Sequence, residues 1–203
     1  MASVVRGLIM LALAMPATCF AEEAKWAGAV TGYYYAMRDE PDFGVGVGTL
    51  DYGRLHLEGR WNYEARDAGS AFVGWKFAGG DAVTFAITPI VGALFGTARG
   101  VIPGVEASIA SGPFDAYVEA EYVDDRRQPG SRYYYSWTEL AWTPVEWLRV
   151  GLAGQRTHTV DTGRGYQRGG FAQVTVQRLK FSLYAFNPES SARYVIGAIT
   201  ASF

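Results

Sequence analysis

Cysteine is almost missing from this chain: Cys19 is the single one in 203 residues. It precedes Ala21, where a secretory signal would be cut. The mature chain would then hold no thiol, which excludes a disulfide framework and a thiolate metal site. Histidine is nearly as scarce, with only His56 and His158. Long apolar runs are lacking as well. The longest, residues 82–96, contains Pro89 and is shorter than the roughly 20 residues that a membrane-spanning helix needs. Nor is there an excess of one charge: 18 Lys and Arg against 20 Asp and Glu give a net charge of −2, so no basic footprint for nucleic acid exists. No linker, low-complexity tract or helical repeat divides the chain, and one domain is expected.

What is present begins with an address. Arg6 precedes an apolar run from Gly7 to Met15, Pro16 breaks it, and Ala17 and Thr18 lead to Ala21. Residues 1–21 fit a secretory signal peptide and leave 22–203 as the mature domain. A lipid anchor at Cys19 is the alternative, but Pro16, Ala17 and Thr18 match a lipobox poorly.

Beyond it, polarity alternates with a period of two. Arg54, His56, Glu58, Arg60, Asn62 and Glu64 fall on one face, and Leu55, Leu57, Gly59, Trp61, Tyr63 and Ala65 on the other. Phe114 to Tyr122 repeats the pattern, as does Lys180 to Ala185. Such runs predict about twelve strands of roughly ten residues, with ten or fourteen as alternatives, the length a tilted membrane strand requires. Residues 82–96 alternate poorly, which predicts a bulge or an inward-folded loop beside that strand.

The predicted connections fall into two kinds that alternate strictly. Short turns at Tyr52-Gly53, Gly79-Gly80, Gly112-Pro113, Thr143-Pro144 and Arg178 are interleaved with longer, charged segments at 38–42, 66–69, 97–100, 124–132, 158–165 and 187–193. Outer-membrane barrels have this asymmetry, with short periplasmic turns, longer outer loops and an even strand count. A soluble lipocalin-like barrel would alternate equally well, with its polar face outward. Aromatics near strand ends, among them Trp26, Tyr34, Trp61, Tyr63, Trp75, Phe77, Tyr122, Trp142 and Trp147, suit interfacial girdles. The C-terminus, Tyr194 to Phe203, ends on an aromatic with Val195, Ile199 and Ala201 in phase. It resembles the terminal strand by which small bacterial outer-membrane β-barrels are recognised for insertion. That resemblance is architectural and covers the whole mature chain. It implies an all-β, antiparallel transmembrane barrel in a Gram-negative outer membrane, inserted by the barrel-assembly machinery through Phe203, and monomeric.

Lumen charges are expected at Arg54, His56, Arg60, Lys76, Glu106, Glu119, Glu121, Glu139 and Arg149. Walls of opposite sign would give a transverse field in a narrow porin-like channel for small polar or charged solutes. If the charges instead pair across a narrow barrel, the lumen is shut. Apolar residues on the inward face, Ile90 and Phe171, favour partial filling. Arg126, Arg127, Arg132, Arg156 and Arg168 fall near the outer rim, where guanidinium forks would meet the phosphates of lipopolysaccharide, in a barrel that binds its lipid. A third reading is a lipid-modifying enzyme. His158, with Thr157, Thr159 and Asp161 nearby, is its one candidate and belongs to no His-x-Ser motif, so no catalytic residue is assigned. No cofactor or metal is expected, because no His, Asp and Glu share a ligand spacing in the sequence.

Overall fold

The structure, a computed structural model, describes residues 25–127, 130, 132–159 and 163–203. The signal segment 1–21 with Cys19, and Asp161, lie outside the described residues. The strands are β1 (Trp26–Met37), β2 (Phe43–Tyr52), β3 (Leu55–Trp61), β4 (Ala68–Trp75, resumed after Lys76 as Phe77–Gly79), β5 (Thr84–Gly96), β6 (Gly100–Ser111), β7 (Phe114–Asp125), β8 (Tyr133–Val145), β9 (Leu148–Thr159), β10 (Gly163–Val176), β11 (Leu179–Phe186) and β12 (Tyr194–Ser202). Their number is the predicted twelve, and they form a closed antiparallel barrel. Each strand pairs with its sequence neighbours, and β1 pairs with β12 from Ala29↔Ser202 to Met37↔Tyr194. At that seam the backbones of Gly28 and Phe203 exchange two hydrogen bonds of 2.9 Å, so the last residue helps to close the ring and no edge is left unpaired.

The outer wall is apolar. Val30, Val73, Val91, Leu140, Leu152, Leu183 and Ile199 are exposed around its middle. Trp26, Tyr52, Trp75, Phe85, Phe114 and Trp142 project near the end that carries the short turns, and Tyr34, Trp61, Phe95, Tyr134 and Tyr166 near the other. A soluble barrel would not present an aliphatic belt between two aromatic girdles to water, so this wall is built for lipid.

Two features bear on the sequence reading: of the bulge or inward-folded loop expected beside residues 82–96, the inward loop is found and the bulge is not, and β3 ends early. The strand β5 runs without a register shift, and Thr88, Ile90, Gly92 and Leu94 alternate inward. Its polarity fails to alternate because its inward side chains enter an apolar cluster with Phe72, Ala98, Ile102 and Val123, so both of its faces are apolar. The strand β3 stops at Trp61, five residues before the predicted loop. Asn62 and Asp67 both take left-handed backbone conformations, with φ of 61° and 57°, a region in which Asn and Asp are enriched. Asn62 donates to the Gly44 carbonyl at 2.6 Å and accepts from the Asp67 amide at 3.0 Å. The segment 62–67 therefore folds into the barrel. Tyr63 and Ala65, expected outside, pack against the interior clusters. The first outer loop is tied more simply: Asp42 accepts from the Tyr34 hydroxyl at 2.7 Å and the Met37 amide at 2.9 Å, which hold its carboxyl below the usual carboxylate range.

Gly92 faces inward, where a β-carbon would stand 2.4 Å from the ring of buried Phe72. Gly92→Ala should therefore lower barrel stability by about 1–3 kcal/mol through overpacking, read as an earlier urea unfolding midpoint in detergent.

Candidate functional site

The barrel interior is organised around two guanidinium groups. Arg60, on β3, donates through Nε to Glu58 Oε1 at 2.8 Å and through Nη1 to Glu119 Oε1 at 3.1 Å and Glu121 Oε2 at 3.0 Å. Glu64 Oε1 lies 3.4 Å from the same Nη1. The guanidinium is sandwiched between the rings of Tyr63 and Phe72, at 4.6 and 4.3 Å. Because Glu119 and Glu121 stand on β7, this cluster reaches across the lumen from wall to wall. The expected separation of opposite signs is thus replaced by direct pairing: a side chain long enough to cross a narrow barrel finds its counter-charge instead of leaving it unpaired.

The second centre lies nearer the short-turn end. Arg149, on β9, meets Asp115 through Nε at 3.1 Å, Glu139 Oε2 through Nη1 at 2.6 Å and Gln173 Oε1 at 2.9 Å. Glu139 Oε1 also accepts from the Trp137 indole at 3.1 Å and the Tyr184 hydroxyl at 2.9 Å. Each of these carboxylate bonds is charge-assisted, and together they fix the wall.

Most of the predicted lumen charges are brought to the interior. Lys76 bonds Asp51 at 2.7 Å, and His56 approaches Glu106 to 3.9 Å. Arg54 instead occupies the turn after Gly53, exposed, with its carbonyl accepting from the Lys76 amide at 2.8 Å. The interior also holds residues that the sequence reading did not single out, above all tyrosines. Tyr33, Tyr35, Tyr117, Tyr133, Tyr135, Tyr184 and Tyr194 all pack inside, and the Tyr63 hydroxyl donates to Glu119 at 3.0 Å. Tyrosine serves lipid girdles and filled lumens alike, so its identity gave no signal; strand parity, once registered, would have.

Among the described residues, two cavities lie between these side chains. One, of about 420 Å³, is lined by Thr31, Asp115, Glu119, Glu139, Arg149 and Lys180, with Tyr33, Tyr35 and Tyr63 among its walls. The other, of about 90 Å³, lies toward the outer loops and is lined by Phe43, Glu121, Tyr133 and Gln155, again with Tyr35 and Tyr63. Tyr35 and Tyr63 border both spaces and form the partition between them. Tyr133 holds the inward segment from the far wall by donating to the Glu64 carbonyl at 2.7 Å.

Neither a protein-family model nor a curated protein matches this chain by sequence. Solved structures do match by shape. A KdgM porin in complex with disordered oligogalacturonate superposes with a TM-score of 0.68 at 9% identity, over 86% of this chain and 99% of that one. A second KdgM porin structure gives 0.65 at 10% identity over the same shares. The fold is that of an outer-membrane porin. At such identity the likeness concerns the backbone of this porin-type barrel, and the side chains described above are its own.

The outer-rim arginines divide. Arg132 pairs with Asp124 at 2.7 Å, Arg126 lies 3.9 Å from the same carboxylate, and Arg127 donates to the Gly96 carbonyl at 2.6 Å. Among the described residues the side chains of Arg156 and Arg168 have no hydrogen bond or ion pair, and both are exposed. Arg156 shares the lipid face with Leu152 and borders an external groove with Tyr122, Tyr134, Ser136 and His158. His158 therefore looks outward, and no described hydrogen bond joins it to a serine.

Removing Arg60 would leave its carboxylates facing one another in a buried space. Arg60→Met is expected to cost about 3–5 kcal/mol, the range for breaking a buried ion cluster by deleting one partner. Urea titration of the heat-modifiable folded band would measure it.

Proposed function

We propose that this protein is a narrow channel of the bacterial outer membrane for small polar solutes, with cations and neutral molecules preferred over anions, and that it is not an enzyme. One observation carries the reading. The interior presents Asp51, Glu58, Glu64, Glu106, Asp115, Glu119, Glu121 and Glu139 against Arg60, Lys76, Arg149, Lys180 and His56. A wall with an excess of carboxylates lowers the potential along the lumen and favours positive solutes. The KdgM neighbour is described with oligogalacturonate, a polyanion. The acidic excess here argues that this barrel takes a different cargo.

The partition at Tyr35 and Tyr63 sets the width of the path. Of the two, Tyr63 sits on the inward-folded segment and is the part that a small rearrangement would move. In planar bilayers the wild-type barrel should give small, cation-selective current steps. Tyr63→Ala should raise single-channel conductance at least twofold, and Glu119→Gln with Glu139→Gln should lower the cation-to-anion permeability ratio. Silence of both the wild type and Tyr63→Ala, with folding intact, would overturn the channel reading.

A lipid-binding role is supported by the external groove. Arg156 keeps a free guanidinium fork beside the amphipathic rings of Tyr122 and Tyr134, and Arg168 is exposed on the neighbouring strand β10, an arrangement suited to the phosphates of lipopolysaccharide. Arg156→Ala with Arg168→Ala should reduce the lipopolysaccharide that copurifies with the barrel, whereas Arg127→Ala, which removes an internal tie, should not.

A further inference from the structure

His56 lies on β3, two residues beyond the turn at Gly53-Arg54, on the short-turn half of the lumen. Its residue is 4% exposed. Nδ1 lies 2.8 Å from Asp51 Oδ1. Asp51 in turn accepts from Lys76 at 2.7 Å, so its carboxylate is fixed and acts as the acceptor of an Nδ1–H bond. This places a proton on Nδ1, and in the neutral imidazole the lone pair is then on Nε2. Among the described residues, Nε2 is a buried nitrogen with no hydrogen-bond partner. It points at two carboxylates, Glu58 Oε2 at 3.5 Å and Glu106 Oε2 at 3.9 Å.

With the imidazole neutral, Nε2 and the two carboxylates are electron donors that face one another with nothing between them. A cation between them would resolve this. The donor atoms of His56, Glu58 and Glu106 all lie within 4.8 Å of one another. A tetrahedral transition ion with bonds of about 2.0–2.2 Å holds its donors roughly 3.3–3.6 Å apart, a range that includes the His56–Glu58 distance of 3.5 Å and lies below the 3.9 Å to Glu106. Small rotations of Glu106, whose side chain is 19% exposed, would bring it in. That exposure also leaves one side of the cluster open to lumen water, as an entry path and as the place for a fourth ligand. The Asp51–His56 pair supplies the outer carboxylate that metal-binding histidines commonly have.

We propose that the lumen wall binds one divalent transition-metal ion on His56 Nε2, Glu58 and Glu106, with Asp51 as the positioning residue behind the imidazole. One imidazole and two carboxylates suit zinc and its first-row neighbours over magnesium or calcium, which prefer all-oxygen sites. The ion would join β3 to β6 across the two strands between them. It would also place a fixed positive charge in the acidic lumen. The proposal does not rest on the channel reading, because binding is measured whether or not the barrel conducts.

Several charges surround the site. Arg60 holds Glu58 through Nε at 2.8 Å and Nη2 at 3.2 Å, and Glu119 is the register neighbour of Glu106 on β7. Glu58 is therefore a poor residue to mutate, since its loss would also release Arg60. His56→Ala and the near-isosteric Glu106→Gln avoid this.

The test is calorimetric titration of the untagged barrel in detergent with zinc chloride at neutral pH, with Co²⁺ absorption as a second readout of coordination. The wild type should bind one Zn²⁺ per barrel. His56→Ala should weaken binding at least 100-fold and abolish the tetrahedral Co²⁺ band, and Glu106→Gln should weaken it at least tenfold. Asp51→Asn should weaken it about 10- to 100-fold while keeping the stoichiometry. His158→Ala should bind as the wild type does. Heat-modifiable migration establishes folding for each variant. No saturable binding by the folded wild type, or binding unchanged in both folded His56→Ala and Glu106→Gln, would overturn the proposal. In that case the gap at Nε2 is filled by a proton.

Discussion

The interior of this barrel depends on the reach of one arginine. A closed sheet of twelve strands encloses too much space for small side chains to fill and too little to keep charges on opposite walls apart. Arg60 resolves that geometry. Its guanidinium meets carboxylates from β3, from the inward segment and from β7, while Tyr63 and Phe72 cover its faces. Desolvated charges are costly alone and tolerable when their donors and acceptors are met. The cluster therefore fixes where the segment 62–67 must lie, and with it the tyrosine partition between the two cavities.

Around that centre the two sides of the wall obey different solvents. Outside, lipid selects aliphatic residues in the middle and aromatic rings at the ends. Inside, hydrogen bonding selects pairs: Arg149 with Asp115 and Glu139, Lys76 with Asp51, Ser70 with Glu64 at 2.9 Å. Tyrosines bridge these two demands because each has a large apolar ring and one polar atom. They fill volume without stranding a charge, which is why the lumen is narrow and still polar.

The likeness to KdgM porins belongs to the backbone, and selectivity in such a barrel belongs to the side chains. Here the carboxylates outnumber the bases, and several are already engaged by arginine. What the lumen leaves open is a short polar cavity under a tyrosine partition, with Asp115, Glu139 and Lys180 on its walls. The proposed channel and lipid-binding roles occupy opposite faces of one sheet and do not compete.

The period-two alternation by itself determined the strands and put His56, Arg60, Glu119, Glu121 and Glu139 on their polar faces, because side-chain direction in a strand is a matter of parity; that the polar face lines the lumen rested on the terminal strand, the aromatic strand ends and the loop asymmetry. The alternation of short and long connections likewise separated the two ends of the barrel. Parity fails where the backbone leaves the strand. Asn62 and Asp67 turn the chain inward, so Tyr63 and Ala65 reversed sides, and β5 hid its regular alternation under apolar residues on both faces. Distances across the lumen were beyond the sequence altogether. Glu106 is 50 positions from His56 in the chain, and only the curvature and register of the closed sheet bring them to 3.9 Å. The same closure decided that Arg60 is a bridge and not one wall of a field, since pairing across a barrel depends on its diameter, which no local pattern encodes.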